Sequence, residues 1–243
     1  HSTDRKPGVS KRGYFWVFLA ADLNLLSFKY VLSRSGEIPK KVLGQSKGAL
    51  VVDAYTGYNA VTKPLARKRV GCWAHVRRYF FKAKSNFPVE CDHALSLIRE
   101  LYRVEHQAKE DGVLGSPEHA KRRKIHSQAI LEQLKSWLAE QKGQCLPRGK
   151  LHEALTYLEN QWSTLTEFVK DVRLPLDNNI SERALRIIAL GRHNWNFVGN
   201  EASGQNLARL YSLVKSAEAN GLNPEQYLAC LLYTSDAADE WLR

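Results

Sequence analysis

The sequence has no methionine, no Cys-x-x-Cys pair, and no apolar run near the ~18 residues that a membrane-spanning helix requires. With His1 at its start and no Met anywhere, it is expected to be a piece of a longer reading frame. The four cysteines stand at positions 72, 91, 145 and 230, far apart and outside any secretory context. They read as reduced thiols, which sets aside a disulfide scaffold. The longest early apolar stretch, Tyr14 to Ala21, stops at Asp22 behind a basic start. It is too short and wrongly flanked for a secretory signal.

Acids are scarce at the beginning. Residues 1–90 hold 5 Asp and Glu against 17 Lys and Arg, a balance of +12, whereas residues 91–243 hold 20 against 19, a balance of −1. The formal net charge of +11 therefore sits almost wholly in the first part. Such asymmetry favours a polyanionic partner, with nucleic acid as the default, and it also suits simple solubility. At 44% apolar and 25% charged residues, the composition is that of a folded protein with a real core.

Residue patterning implies an α/β protein with an all-helical middle. Tyr14 to Ala21 reads as a buried strand. Leu25 to Ser33, alternating through Leu26, Phe28, Tyr30 and Leu32, reads as its hairpin partner across Asp22–Asn24. A short helix is expected over Ile38 to Leu43. Ala49 to Asp53 reads as a fully buried parallel strand, and Arg69 to Trp73 as a second strand leading into a helix from Ala74 to Lys84. Three helical stretches follow. The first carries Ala94, Leu97, Ile98, Leu101 and Val104. The second is capped by Ser116 before Pro117 and carries Ile125, Ala129, Ile130, Leu134 and Leu138. The third carries Leu151, Leu155, Leu158, Trp162, Leu165 and Phe168. After Pro175, Asp177 to Asn179 can cap a helix bearing Ile180, Ala184, Leu185, Ile187 and Ile188, and Trp195 to Val198 reads as extended. A helix from Asn200 to Asn220 and another opened by Pro224 complete the chain.

Several residues could carry chemistry. Asp53 ends a strand where α/β sheets place ligands, although an acid there also suits a helix cap. Glu182 lies one turn into its helix, a position that also suits the helix dipole. Cys72, His75, Cys91 and His93 offer four soft ligands for zinc, or two buried thiols and two unrelated histidines. Lys121 to Lys124 is a basic run that reads as a solvated helix face. Arg77, Arg78, Arg183, Arg186 and Arg192 flank the candidate acids.

Three segments together resemble one family: D-A-Y-T-G-Y-N-A (53–60), G-C-W-A-H-V-R-R-Y-F-F-K-A (71–83) and L-D-N-N-I-S-E-R-A-L-R-I-I-A-L-G-R-H-N-W-N-F-V-G (176–199). They are similar to the DDE transposase of the insertion-sequence sixty-six family. Residues 211–228 resemble that family's C-terminal stretch. The resemblance implies a ribonuclease-H-like α/β core, truncated here, with residues 1–86 and 175–229 forming the core around a helical insertion at 87–174. It implies that Asp53 and Glu182 are the second and third acids of a catalytic triad and ligands of Mg²⁺ or Mn²⁺. It further implies DNA transposition as the activity, with transposon ends and target DNA as partners, a homo-oligomer, and a bacterial cytoplasmic, nucleoid-associated location with no membrane. Arg77, Arg78, Arg183, Arg186 and Arg192 become candidate DNA contacts. The family's opening acid lies in an Asp-Glu-Thr strand upstream of the equivalent of His1 and is absent from these residues. The chain as given is therefore expected to bind DNA without cutting it. The alternative is a truncated, inactive DNA-binding derivative of a transposase, and a third reading is a related nuclease. Residues 230–243 resemble the translation of a sequencing-library adapter and are expected to be non-native.

Overall fold

The computed structural model describes residues 12–44, 46–62, 67–194 and 198–240, without the side chains of 192–194 and 235–240. In chain order the elements are β1 (Tyr14–Ala20), β2 (Leu25–Val31), α1 (Glu37–Leu43), β3 (Ala49–Val51), α2 (Asn59–Thr62), β4 (Lys68–Val70), α3 (Trp73–Ala83), α4 (Pro88–Glu110), α5 (Pro117–Arg122), α6 (Gln128–Gln144), α7 (Lys150–Leu165), α8 (Asn179–Asn194), α9 (Glu201–Ala219) and α10 (Pro224–Glu240). The protein is mixed α/β and mostly helical, with two separate two-stranded sheets among the described residues. The chain divides into two units, residues 36–178 and residues 1–35 with 179–243.

In the second of these units, β1 and β2 pair antiparallel with Trp16 opposite Lys29 and Phe18 opposite Ser27. The turn uses Asn24 at φ 49°, a left-handed conformation that asparagine tolerates. One edge of β2 meets β1. Along the other lies α9, which presents Ser212, Ser216 and Asn220 in an every-fourth-residue row. The Phe28 N–H donates to Ser212 Oγ at 2.8 Å, the Leu26 N–H to Ser216 Oγ at 3.0 Å, and Asn220 Nδ2 donates to the Asn24 carbonyl at 3.2 Å. Four helical residues rise about 6 Å and two strand residues about 6.6 Å, so helix row and strand edge stay in step over three rungs. Ala208 and Gly204 continue the row. A Cβ on Gly204 would lie 2.5 Å from Tyr30 Cδ1, so the close approach requires glycine. Ala184, Leu185 and Ile187 of α8 pack with the buried Ile188, Leu26 and Phe28, whereas Ile180, expected on that face, is exposed.

In residues 36–178, β3 and β4 are parallel, Ala49 opposite Lys68 and Val51 opposite Val70. The strand expected over Arg69 to Trp73 is shifted earlier because the chain beyond Val70 bonds elsewhere. The Gly71 N–H donates to the Thr164 carbonyl at 2.9 Å and the Trp73 N–H to the Leu176 carbonyl at 3.0 Å. α3 packs on α4 and α7 through Trp73, Val76, Phe80 and Ala83, and Trp73 Nε1 donates to the Leu165 carbonyl at 3.0 Å. Leu101, Leu134, Leu155, Leu158 and Phe168 complete a single apolar interior. Residues 88–170 contain no strand.

The second helical stretch departs from its expected face. Ser116 caps α5 by accepting the His119 N–H, as its sequence implied, but Arg123–Ser127 forms one wide π-helical turn before α6. Ile125 and Ala129 face solvent, while His119, Arg123 and Ser127 point inward. The basic run at 121–124 is thus not a uniform solvated face. Arg123 Nε and Nη2 grip Glu105 at 2.8 and 2.6 Å, and the same guanidinium donates to the carbonyls of Phe168, Asp171 and Leu174. A buried arginine with every N–H engaged holds the 168–174 segment in place. The extended piece expected at Trp195 to Val198 lies largely outside the described residues. α10 continues through Glu240.

Candidate active site

Asp53 follows the carboxyl end of β3, where the Val52 N–H still bonds the Val70 carbonyl and the chain then leaves the pair. Its Oδ1 accepts the Tyr55 N–H at 3.0 Å, which folds the backbone into a short 3₁₀ turn over Thr56–Tyr58. Arg69, on β4, locks this loop from beneath. Its Nη2 donates to the carbonyls of Asp53 at 2.6 Å and Tyr55 at 3.1 Å, and Nη1 donates to Asn59 Oδ1 at 2.7 Å. Burial lowers the pKa of this guanidinium, and the nearby Asp53 charge acts in the opposite sense. His75, in the first turn of α3, brings Nε2 to 4.0 Å from Asp53 Oδ2.

A tyrosine from far along the chain completes the surroundings. Tyr157 of α7 has its phenolic oxygen against the Ala54 N–H. Its pKa is raised, chiefly by burial, with Cys72 and Asp53 adding to the effect. Its ring stacks on Tyr79 of α3, with centroids 4.4 Å apart and planes at 23°. Beside Tyr79 lies a cavity of about 180 Å³ lined by Tyr79, Lys82, Lys150 and Glu153.

Asp53 keeps 39% of its side chain exposed. A carboxylate has roughly four lone-pair positions, so beyond the Tyr55 contact it retains oxygen capacity for a hard divalent cation. The soft set is not assembled. Cys72 and Cys91 are buried free thiols, and burial pushes Cys91 up to about 11. His93 packs against Trp137 at 5.5 Å. Among the described residues no three His, Cys, Asp or Glu side chains gather as a metal site.

The remaining candidates fall in two places. Arg77 and Arg78 lie on the exposed face of α3, the helix that carries His75. Asp177 accepts a hydrogen bond from Tyr102 Oη at 2.7 Å. That bond, together with burial as the larger cause, raises the phenol pKa. Glu182 is half-buried in the first turn of α8, with Arg183 and Arg186 exposed on the same helix. Arg192 belongs to α8, but its side chain lies outside the described residues.

The model of the Transposase IS66 family matches residues 3–206. The chain belongs to this transposase family. The uncharacterized proteins y4jD and y4hP of Sinorhizobium fredii (strain NBRC 101917 / NGR234) are 30% and 29% identical to it over 207 and 217 residues, each match covering 82% of this chain. A third uncharacterized protein of that strain, y4qI, is 25% identical over 237 residues. This family member spans about two fifths of the length of these relatives: 40%, 39% and 43% respectively. No solved structure matches it. No described helix is long and apolar enough to cross a membrane.

Arg69, Tyr157, Tyr79, Lys82 and Lys150 were not among the residues that sequence spacing singled out. Only Arg69 left a trace, as the first residue of a strand expected over Arg69 to Trp73.

Proposed function

We propose that this IS66-family chain is the catalytic-core part of a DDE transposase. In this reading Asp53 and Glu182 are two carboxylates of the site that cuts and joins DNA at insertion-sequence ends. The supporting observation is Asp53 itself. It is a partly exposed acid at the carboxyl end of a parallel strand, on a loop that a three-bond arginine clamp prevents from drifting. A fixed ligand matters because strand transfer depends on reacting groups being held in line.

The donor chemistry fits Mg²⁺ or Mn²⁺, which take carboxylate and phosphate oxygens, and Asp53 and Glu182 would hold it. Bound there, such ions supply charge neutralisation at the attacking and leaving oxygens. The chain's own residues do the positioning. Arg69 fixes the Asp53 backbone, and Arg77, Arg78, Arg183, Arg186 and Arg192 draw the DNA backbone toward the acids. The proposed architecture is a ribonuclease-H-like core from residues 1–86 and 175–229 around a helical insertion at 87–174, working on DNA as a homo-oligomer.

The test uses end-bearing DNA with Mg²⁺ or Mn²⁺. It compares the 243-residue chain with the chain extended by whatever coding sequence precedes His1 in its gene. The extended protein should cleave, and Asp53→Asn and Glu182→Gln should each abolish cleavage. The 243-residue chain should bind DNA without cutting it. Full cleavage by either variant overturns the assignment of the acids. Cleavage by the short chain overturns the need for a further acid.

A further inference from the structure

The cavity between α3 and α7 has no role in the reading above. Lys82 reaches it from α3, Lys150 and Glu153 reach it from α7, and Tyr79 forms a wall. Both lysines are exposed, and among the described residues neither makes an ion pair with Glu153 or any other acid. Two lysines and one glutamate among the cavity's lining residues give it a formal balance of one positive charge. Its volume of about 180 Å³ is roughly ten times the ~15 Å³ needed to admit one water. That leaves room for a tetrahedral anion with its solvation.

The cavity also has a defined relation to Asp53. Its Tyr79 wall stacks on Tyr157, and the Tyr157 oxygen meets the N–H of Ala54, the residue after the acid. Two tyrosine rings in contact therefore join the lysine-lined rim to the candidate catalytic loop, all within residues 36–178.

We infer that this cavity is a phosphate subsite, gripping one phosphodiester of the DNA strand whose neighbouring nucleotides reach Asp53. A phosphodiester carries one negative charge, matching the formal balance of the lining residues. Lysine ammonium groups suit a backbone oxygen, because they recognise charge without reading a base. The tyrosine pair offers the adjoining nucleotide an aromatic surface at the half-buried edge of the path. The inference rests on the reading of the chain as a DNA-processing protein and adds a substrate subsite to it.

The experiment measures binding of a labelled DNA duplex by anisotropy, with the 243-residue chain, between about 50 and 200 mM salt. The variants are Lys82→Ala with Lys150→Ala, Glu153→Gln, and Arg183→Ala with Arg186→Ala. All altered side chains are at the surface, and a thermal melt checks folding. The double lysine variant should bind severalfold more weakly. Its slope of log affinity against log salt should flatten by about 0.9, the value for one lost phosphate contact. Glu153→Gln should tighten binding, because it removes the one charge that opposes the anion. A lysine variant or a Glu153→Gln variant that binds like wild type, while wild type binds DNA and the arginine variant weakens it, overturns the subsite and leaves the wider reading standing. No DNA binding by wild type overturns the wider reading itself. A separate arm titrates inorganic phosphate. Lysine-dependent phosphate binding without lysine-dependent DNA binding assigns the cavity to a free anion and overturns the DNA assignment.

Discussion

The two units are held together by different physics. Residues 36–178 enclose one large apolar interior, with Trp73, Phe80, Ile98, Leu101, Leu134, Leu155 and Phe168 all fully buried. The other unit buries a far smaller set, centred on Leu26, Phe28, Ile188 and Ala208. It compensates with direction: a row of small and polar residues on α9 closes the free edge of β2 by hydrogen bonds to its backbone. Burial of apolar area is non-directional and tolerates volume-conserving change. An edge closed by hydroxyl groups depends on single atoms, and leaving its N–H groups buried and unmet carries the full desolvation cost. Mutational sensitivity should therefore follow volume in one unit and hydrogen-bonding atoms in the other.

The largest expected effect is in the apolar unit. Trp73→Ala empties the centre of the α3–α4–α7 packing and orphans the Leu165 carbonyl, and should cost about 3–5 kcal/mol. Denaturant unfolding measures it. Trp73→Phe, which keeps most of the volume, should recover most of the loss. A loss as large for Phe as for Ala would break the distinction drawn above.

Next is the serine row. Ser212→Ala leaves the Phe28 N–H without its acceptor and should cost roughly 1–3 kcal/mol, although it removes a single oxygen. Ser212→Cys, close in size, should rescue little, since sulfur accepts hydrogen bonds weakly. Hydrogen exchange at the Phe28 and Leu26 amides would locate the effect. Unchanged exchange in Ser212→Ala would show that the edge is held by apolar contact after all.

The smallest expected effect is electrostatic. Arg173 donates to Asp171 through its backbone N–H, Nε and Nη2 and holds that carboxyl at about 2. A depressed folded-state pKa gives stability that is complete above the ordinary value near 3.9 and is lost as pH falls through about 2. The pair is largely exposed on the arginine side, so solvent screens it. Arg173→Ala should move the Asp171 titration back toward the usual carboxylate range, as read by carboxyl chemical shifts, with little change in the melting temperature at neutral pH.

The elements that sequence patterning located well are those whose signals are local. The hairpin follows from period-two alternation and the Asn24 turn. α7 follows from the helical spacing of Leu151, Leu155, Leu158 and Leu165, and α5 from Ser116 before Pro117. Asp53 was identifiable for the same reason, as an acid closing a short apolar run. What surrounds it was not, because nothing in linear spacing brings Tyr157 beside residue 54. Arg123 was misplaced because an arginine in a basic run ordinarily faces water. Its burial depends on Glu105 and three carbonyls supplied by distant segments. The row at 204, 208, 212, 216 and 220 was not singled out from the sequence, because its meaning appears only when β2 lies along it.

The wide turn at Arg123–Ser127 alters how the helix around it can change length. The inward residues 119, 123, 127 and 131 recur every four positions, whereas a regular α-helix repeats every 3.6. In a uniform helix these four would drift about 40° at each step, some 120° in all. The π turn absorbs that drift, and so acts as a one-residue insertion whose rotation is already taken up. Shortening the chain by one position at Lys124 should relax the turn to ordinary helix and keep Leu131, Leu134 and Leu138 facing inward. The same one-residue deletion at Glu132 would spin Leu134 and Leu138 by about 100° into solvent. The segment between α5 and α6 is thus where this helix can lose a residue without losing its phase.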